Sequence, residues 1–393
     1  MLLTVRPLCA LCAAASLAFA ATACGTSVDP AVSSSVPPTS SPSPSSASTT
    51  APTTTTPTTT TPPAETVRPE VPVEQRRAAA ASLLMPGVTN YDDALAKLQA
   101  GVGGIFLTSW ADPELLTTPG RDIAALRAAV GRPFDVSIDF EGGRVQRFAE
   151  ILGSYSSPAE IVASGSPEQV EETAFQIGQS LAAHGITVDF APVLDVSGGG
   201  LGVVGDRAFS TDPAASGQYG AAFARGLERA GVEPVFKHYP GHGRASGDTH
   251  QGAAVTPPLG DLFGWDLVPY DIALPAVPRA GVMVGHLVVP GLGDGVTPAS
   301  LNSHAYGLLR NHHLFTGVAY TDDLTGMRAI TDNYTPEMAV VAAVAAGADQ
   351  ALWSTAVDVY AVIDAVEAAV ADGTIHPQRF AAAVERVRGE LGE

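Results

Sequence analysis

Short apolar runs recur eight times between residues 83 and 352, and this repetition constrains the fold more than any other feature of the chain. Each run is followed by a polar cluster and then by a stretch with helical periodicity. The runs lie at residues 83–85, 104–107, 134–138, 187–193, 234–236, 282–289, 317–320 and 350–352. The helical stretches include residues 93–99, 122–130, 167–183, 217–230, 336–346 and 377–391.

Eight strands that alternate with helices over roughly 320 residues predict an α/β fold, a single (β/α)8 barrel. An open, doubly wound sheet is the structural alternative. It is disfavoured because no phosphate-binding glycine fingerprint follows an early strand. In a barrel the functional side chains lie just after the strands, at the end that we call the mouth.

Five polar clusters occupy the positions at which such functional side chains are expected. They are the segment 139–144 after the third strand, Asp195 at the end of the fourth, Lys237 and His238 after the fifth, His286 within the sixth, and Thr321, Asp322 and Asp323 after the seventh. The barrel prediction therefore brings all five together at one mouth.

The segment 237–250 reads Lys-His-Tyr-Pro-Gly-His-Gly-Arg-Ala-Ser-Gly-Asp-Thr-His and holds three of the nine histidines. An aspartate two residues before a histidine can orient the imidazole and stabilise its protonated form, so Asp248 and His250 are candidates for acid/base chemistry. Gly241, Gly243 and Gly247 predict a loop that can move over a ligand. A polar surface turn with scattered histidines is the simpler alternative.

The N-terminal residues 1–24 predict a signal peptide, because Arg6 is their only charge and the apolar stretch ends in Ala-Thr-Ala-Cys. Cys24 follows small residues as in a bacterial lipobox, which predicts a lipidated cysteine. Ala21 stands where leucine is usual, so ordinary cleavage and secretion is the alternative. Residues 25–72 are rich in Ser, Thr and Pro and predict a disordered linker, which leaves 73–393 as the folded barrel.

The formal net charge of -19 argues against a nucleic-acid partner, because such a partner requires a basic surface. It also disfavours electrostatic attachment to anionic lipids. Together with the signal peptide, this predicts an exported protein that faces the cell wall and contacts the membrane only through Cys24. We expect it to be a monomer. Cys9 and Cys12 would leave with the signal peptide, so no internal disulfide is expected.

Four motifs carry a resemblance to a known family. They are Lys-His-x-Pro-Gly-His-Gly with Asp-x-His four residues later (237–250), Ile-Asp-x-Glu-Gly-Gly-Arg-Val-Gln-Arg (138–147), Gly-Asp-Arg-Ala-Phe (205–209) and Gly-Val-Ala-Tyr-Thr-Asp-Asp-Leu (317–324). In this order they resemble glycoside hydrolase family 3, specifically its NagZ-type β-N-acetylglucosaminidases. With the N-terminal segment, the whole chain resembles actinobacterial lipoproteins of this type.

The resemblance implies a retaining exo-β-N-acetylglucosaminidase that acts on peptidoglycan-derived glycans or muropeptides, with neither a metal nor an organic cofactor. It implies that Asp322 is the nucleophile of a covalent glycosyl-enzyme, and that His250 is the acid/base with Asp248 as its partner. The positions that match those holding the N-acetylglucosamine ring are Asp139, Arg147, Arg207, Lys237 and His238. A carboxylate and a proton donor on opposite sides of the bond suit glycoside cleavage.

Several neighbouring residues have competing interpretations. Asp323 is the rival nucleophile, but alternation along a strand points it away from Asp322, and capping of the next turn is its simpler role. Glu141 resembles a classical acid, yet its place before two glycines suggests hydrogen bonds that hold a turn. His242 is interpreted as a brace within the loop, and His286 either as a core residue or as a ligand.

A separate group of charged residues, Asp195, Asp206 and Arg144, is interpreted as buried ion pairs that keep the mouth rigid. Phe140 stands where relatives commonly have glutamine, which is expected to alter the shape of the sugar site rather than the chemistry.

Three rival functions remain at this point. A metal-dependent hydrolase would use His238, His242, Asp248 and His250, although Pro240 and Gly241 exclude the helical histidine pair that is common in zinc enzymes. A catalytically inactive cell-wall-binding lipoprotein would have lost the nucleophile or the acid, and both are present. Phosphate rather than water would release the sugar in a phosphorolytic variant, because a histidine acid carries no negative charge to repel phosphate.

Overall fold

The computed structural model describes residues 68–198 and 200–392, and Ser164 by its backbone alone. The predicted signal peptide, Cys24 and most of the predicted linker lie outside these residues. Arg68, which the sequence analysis assigns to the linker, contacts the helix Pro377–Leu391. The backbone N–H of Arg68 donates to Gln378 Oε1 at 2.8 Å, and Gln378 Nε2 donates to the Arg68 carbonyl at 2.9 Å.

Eight parallel strands form the centre of the fold and confirm the predicted barrel. They are β1 Leu84–Val88, β2 Gly104–Leu107, β3 Asp135–Ile138, β4 Val188–Asp189, β5 Glu233–Tyr239, β6 Gly281–Val284, β7 Ala319–Thr321 and β8 Ala351–Trp353. The order around the sheet is β7-β6-β5-β4-β3-β2-β1-β8. A parallel bridge between Tyr320 and Gln350 joins the two ends, so the ring is nearly closed.

Helices surround this ring, and several begin with a proline directly after a capping side chain. They are α1 Arg76–Ser82, α2 Tyr91–Gln99, α3 Glu114–Thr117, α4 Ile123–Val130, α5 Ala149–Leu152, α6 Pro158–Ser164, α7 Pro167–Ala183, α8 Pro213–Arg229, α9 Leu259–Leu262, α10 Val268–Ala276, α11 Ser303–Asn311, α12 Arg328–Thr331, α13 Pro336–Ala346, α14 Val359–Ala371 and α15 Pro377–Leu391. Single 3-10 turns occupy Val73–Gln75, Gly205–Arg207 and Ala299–Leu301. Among the described residues, no helix combines the length and apolar character needed to cross a membrane.

The strand boundaries differ from the sequence prediction at three places near the mouth. Strand β5 extends through Lys237 and His238 to Tyr239, with a register shift against β6. Strand β4 is shorter than the apolar run 187–193; beyond Asp189 the segment continues to bond β5, including a bridge between Val193 and Lys237, without regular strand geometry. The sixth run divides after β6, and its distal part, Leu287–Val288, pairs with Ala254–Val255 instead.

One helix begins earlier than predicted. The Asp212 side chain accepts the backbone N–H of Ala215, and Pro213 occupies the first turn, so α8 starts four residues before the apolar periodicity begins at residue 217. The Asp-Pro pair is a recognised start of a helix, and it was available in the sequence.

The interior of the barrel is a packed cluster to which seven of the eight strands or their immediate neighbours contribute. Its members are Met85, Phe106, Val188, Phe190, Val235, Met283, Val318, Tyr320 and Leu352. The rings of Phe106 and Phe190 lie 5.7 Å apart, and those of Phe190 and Tyr320 lie 5.6 Å apart. The interior is therefore filled with side chains and forms an apolar floor beneath the mouth.

Closure of the ring between β7 and β8 depends on the buried carboxylate of Asp349. This carboxylate accepts the N–H of Ala319 at the start of β7 at 2.9 Å. It also pairs with Arg310 from α11 and with Arg379 and Arg386 from α15. Burial alone would raise the pKa of Asp349, but the three guanidiniums hold it below its usual value.

A buried carboxyl group at the start of β3 makes stability depend on pH. Burial raises the pKa of Asp135 to about 6, although its Oδ1 accepts the hydroxyl of Thr187 at 2.9 Å. The folded state therefore binds this proton more tightly than the unfolded state does. The contribution is favourable at low pH and is lost as the pH rises from about 4 to about 6.

We predict that Asp135→Asn stabilises the protein above pH 6, because the amide keeps the hydrogen bond without the buried charge. The gain in the free energy of unfolding should grow between pH 4 and pH 6 to at most about 3 kcal/mol and then remain constant. Urea unfolding of both proteins across this range is the measurement, with the exposed substitution Asp261→Asn as the control. A gain that is independent of pH would contradict the assignment.

Candidate active site

A cavity of about 320 Å³ lies at the mouth of the barrel. It brings together seven of the eight residues that the sequence analysis assigns to catalysis or to sugar binding: Asp139, Arg147, Arg207, Lys237, His238, His250 and Asp322. Asp248, the eighth, lies beside His250. The inner part of the lining is apolar and consists of Phe106, Met283 and Leu352 from the barrel interior.

A chain of buried and partly buried ion pairs forms one wall of this cavity. Lys237 Nζ lies 2.8 Å from Asp139 Oδ1 and 2.7 Å from Glu141 Oε1. Arg147 donates to the other oxygen of Asp139 at 2.8 Å, and Arg207 donates to both oxygens of Glu141 at 2.7 Å. Three cations and two carboxylates alternate along this chain, so each carboxylate contacts two cations.

The network fixes the ionisation of its members. Burial on its own would raise the pKa of Glu141, but Arg207 and Lys237 lower it to about 2. Burial is likewise outweighed at Asp139, where Lys237 and Arg147 hold the pKa far below its usual value. Burial lowers and the two carboxylates raise the pKa of Lys237, with a net increase. All these groups are therefore charged at neutral pH, and the remaining N–H donors of the cations are available to hydroxyl groups of a ligand.

Glu141 has a different position from the one that the sequence suggested. It does not hold a turn; its fully buried carboxylate is shared by Lys237 and Arg207. The balance of positive and negative charges at the mouth could have indicated this position of Glu141 from the sequence. Two buried cations at the mouth require more than the single carboxylate of Asp139.

Asp322 lies at the carboxyl end of β7 with its side chain buried at the cavity. Its Oδ1 accepts the N–H of Asp323 at 2.9 Å. Burial would raise the pKa of Asp322, but the nearby imidazoles of His238 and His286 and the N–H bond lower it overall. The carboxylate is therefore ionised at neutral pH and faces the cavity, as a nucleophile requires.

Asp323 also lines the cavity, but hydrogen bonds within the protein occupy its carboxylate. Its Oδ1 accepts the backbone N–H groups of Thr325, Gly326 and Ser354, each at 3.0 Å. Its Oδ2 accepts the hydroxyl of Ser354. Because these bonds occupy both oxygens, Asp323 joins the turn after β7 to the end of β8. Asp322 is the less occupied carboxylate of the pair, with its hydrogen bond at Oδ1.

A second buried carboxylate orients His238. Asp195 Oδ2 accepts the Nδ1–H of His238 at 2.6 Å, and Asp195 Oδ1 accepts the backbone N–H of His242 at 2.6 Å. Burial opposes ionisation, but these interactions lower the pKa of Asp195 to about 2. The bond to Nδ1 leaves Nε2 of His238 for a ligand. Asp195 is thus buried as the sequence suggested, and it is paired by hydrogen bonds to a histidine.

The other two members of that predicted ion-pair group lie elsewhere. Arg144 and Asp206 pair with each other at 2.7 Å, but both side chains are 46% exposed, so this pair is not buried. His286 is a core residue. Its Nε2 donates to the Asp323 carbonyl at 2.9 Å, and its Nδ1 accepts the hydroxyl of Ser300 at 2.7 Å, so neither ring nitrogen is free to bind a ligand.

His250 stands on the loop after β5 with a 55% exposed side chain. Asp248 Oδ1 accepts both the Nδ1–H of His250 at 2.7 Å and its backbone N–H at 2.9 Å. Burial acts against these bonds, which nevertheless lower the pKa of Asp248. The arrangement fixes the tautomer of the imidazole and leaves Nε2 on the cavity side as the atom that can exchange a proton.

The three glycines of this loop have two different roles, which corrects the expectation of a uniformly mobile segment. A Cβ on Gly243 would lie 1.9 Å from the Val196 carbonyl oxygen, and a Cβ on Gly241 would lie 2.5 Å from the Asp266 side chain. Gly247 has no atom within 4 Å of such a Cβ. The first two glycines therefore anchor the loop against the barrel, and only the third lies where the chain has room to move.

Comparisons with known proteins agree with this geometry. Residues 78–389 match the model of the Glycosyl hydrolase family 3 N terminal domain. The chain is 43% identical over 315 residues to beta-hexosaminidase LpqI of Mycobacterium tuberculosis, which covers 78% of this chain and 80% of the relative. The chain belongs to glycosyl hydrolase family 3. It is a glycoside hydrolase.

Solved structures of the family share the fold. A family 3 glycosyl hydrolase of Mycobacterium smegmatis is 44% identical and superposes with a TM-score of 0.77, covering 80% of this chain and 96% of that chain. A family 3 beta-N-acetylglucosaminidase of Paenibacillus is 31% identical, with a TM-score of 0.74 over 80% of this chain and 62% of that chain.

The rival interpretation of this family 3 cavity as a metal centre finds no geometric support among the described residues. His238 uses Nδ1 to bond Asp195, and His250 uses Nδ1 to bond Asp248. Within the part of the chain that the structure describes, the His, Asp and Glu side chains that approach closely enough to share an ion do not include these residues or His242.

The different positions of Gly243 and Gly247 predict different effects of the same substitution. Gly243→Ala should lower the free energy of unfolding by about 1–3 kcal/mol, because the added methyl group overlaps the Val196 carbonyl. Gly247→Ala should leave stability within about 0.5 kcal/mol. Denaturant unfolding of both variants is the measurement. Equal stability of the two variants would show that residue 243 is not anchored as described.

Proposed function

We propose that the protein is a retaining exo-β-N-acetylglucosaminidase that releases terminal β-N-acetylglucosamine from peptidoglycan-derived glycans. The observation that carries the proposal is the pairing, in one cavity, of a buried ionised carboxylate with an imidazole that a second carboxylate orients. Asp322 and His250 are these groups. Retaining glycosidases use such a pair of a nucleophile and an acid/base.

Asp322 would attack the anomeric carbon and form a covalent glycosyl-enzyme. His250 Nε2 would give a proton to the leaving oxygen and would then take one from the incoming water. Asp248 would stabilise the imidazolium through its bond to Nδ1. In this arrangement the nucleophile is held rigidly by β7, whereas the acid/base lies on a loop that meets the outgoing group from the solvent side.

The sugar itself would be held by the charged wall. Lys237, Arg147 and Arg207 can donate to ring hydroxyls, and Asp139 can accept from them. The cavity ends on the apolar floor of the barrel, so it admits a terminal sugar and not the middle of a chain. This closed end supports exo-cleavage.

The identity of the sugar rests on the relatives. LpqI is a beta-hexosaminidase, and the Paenibacillus structure is a beta-N-acetylglucosaminidase. Peptidoglycan is proposed as the source of the substrate because the sequence predicts export, a lipid anchor at Cys24 and a linker that reaches into the cell wall. A protein that only binds glycans is disfavoured, since both Asp322 and His250 line the cavity.

We expect Asp322→Ala to lower kcat on a chromogenic β-N-acetylglucosaminide by at least about a thousandfold without altering thermal stability. A 5-fluoro N-acetylglucosaminyl fluoride should label the wild-type protein on Asp322, as read by mass-spectrometric fragmentation of the digested peptide. The label should disappear in Asp322→Ala. A label on Asp323 or on Glu141 would refute the nucleophile assignment, and muropeptide binding without turnover would favour the binding protein.

The role of His250 predicts a dependence on the leaving group. His250→Ala should reduce kcat/KM about a hundredfold or more for a disaccharide, whose sugar leaving group needs a proton, and much less for a dinitrophenyl glycoside, which does not. His304→Ala removes an exposed histidine and is the control. Equal losses on both substrates would mean that His250 does not act as the acid.

A separate experiment tests whether water or phosphate accepts the sugar from the glycosyl-enzyme. A neutral imidazole does not repel phosphate as a carboxylate acid/base would. Products formed with and without phosphate should be free N-acetylglucosamine in both cases if water is the acceptor. Accumulation of N-acetylglucosamine 1-phosphate would identify the phosphorolytic alternative.

A further inference from the structure

We propose that Asp271, His312 and His313 bind a divalent transition-metal ion of the zinc type on the helical layer of the barrel, at a site separate from the catalytic cavity. Asp271 lies on α10, and the two histidines directly follow α11. None of the three lines the cavity at the mouth. The proposal does not depend on the glycosidase mechanism.

The distances between the three side chains suit a common ion. Asp271 Oδ1 lies 3.0 Å from His313 Nδ1 and 3.5 Å from His312 Nε2. One ligand atom from each residue lies within 4.8 Å of the other two. Ligand atoms that share a tetrahedral zinc ion are roughly 3.4 Å apart, because each bond is about 2.0–2.2 Å long. The two distances from Asp271 Oδ1 lie close to this spacing.

His313 is the observation that distinguishes this group from an ordinary surface cluster. Its side chain is 1% exposed, and neither ring nitrogen has a hydrogen-bond partner among the described residues. The 3.0 Å approach to Asp271 is not aligned as a hydrogen bond. Two ligands of one ion have this relation, because both lone pairs point at the ion and not at each other. A buried imidazole without partners is costly, and a metal ion would satisfy it.

Aromatic neighbours hold the two imidazoles in place. The ring of His313 packs edge-on against Tyr239, with centroids 5.7 Å apart, and that of His312 packs edge-on against Phe263 at 5.2 Å. The two imidazole centroids are 4.6 Å apart. Asp271 and His312 remain 47% and 41% exposed, so an ion can enter from solvent and water can complete its coordination.

The chemistry of the donors selects the class of ion. Two imidazoles and one carboxylate favour zinc and its neighbours in the transition series, whereas calcium and magnesium prefer oxygen ligands alone. An ion here would join α10 to the end of α11. Its expected effect is therefore on the stability of this part of the helical layer and not on turnover.

Titration of the untagged full chain with Zn²⁺ alone, after treatment with a chelator, tests the proposal by calorimetry and by thermal unfolding. The wild type should bind one ion at this site and unfold at a higher temperature with it. Asp271→Asn and His312→Ala alter exposed side chains, so they should fold, bind zinc roughly tenfold or more weakly and retain glycosidase activity. Co²⁺ should give the visible absorption of a four-coordinate site in the wild type.

Two controls separate this site from other places where zinc could bind. His304→Ala removes an exposed histidine from α11, the helix that His312 and His313 follow, and should leave binding unchanged. Asp322→Asn alters the catalytic cavity and should also leave it unchanged. The proposal is overturned if the wild type shows no saturable binding, if Asp271→Asn and His312→Ala bind as tightly as the wild type, or if binding disappears in Asp322→Asn.

Discussion

The buried ammonium of Lys237 between two carboxylates is the interaction on which the mouth of this barrel depends. Asp139 follows β3, Glu141 lies just beyond it, and Lys237 is on β5, so the pairs tie together strands that are distant in sequence. Removal of one partner from a buried ion pair typically costs about 3–5 kcal/mol, because the other charge stays buried. The same charges are the donors and acceptors that a sugar would meet. Stability and ligand recognition are therefore properties of one network.

Neighbouring groups of the same type have opposite roles in this site. Asp322 and Asp323 are adjacent, yet backbone N–H groups and Ser354 occupy both oxygens of the second carboxylate, whereas the first accepts the N–H of Asp323 at Oδ1. The same division separates His286, whose two nitrogens are bonded, from His250, whose Nε2 is open. Whether each residue can act on a ligand thus depends on how many of its polar atoms already form hydrogen bonds within the protein. Sequence position alone does not determine this.

The sequence predicted the barrel well because buried parallel strands are continuous apolar runs, and these are visible without a partner. It also predicted that Asp139, Lys237 and Asp322 would meet, because the ends of barrel strands share one mouth. It did not predict the position of Glu141 or the anchoring of Gly243. Both depend on residues distant in sequence, Arg207 in one case and the Val196 carbonyl in the other. Local patterns do not contain such contacts.

The pairing of the Asp349 carboxylate determines when the barrel can close as the chain is synthesised. Two of the three guanidiniums that neutralise it lie on the last helix, α15, and the strand that it precedes, β8, is the one that pairs with β1. A chain that emerges from its N-terminus therefore exposes the edge of β1 until β8 and α15 have been made. The barrel therefore closes only after α15 has been made, and a chain that stalls before it would present an open sheet edge to its surroundings.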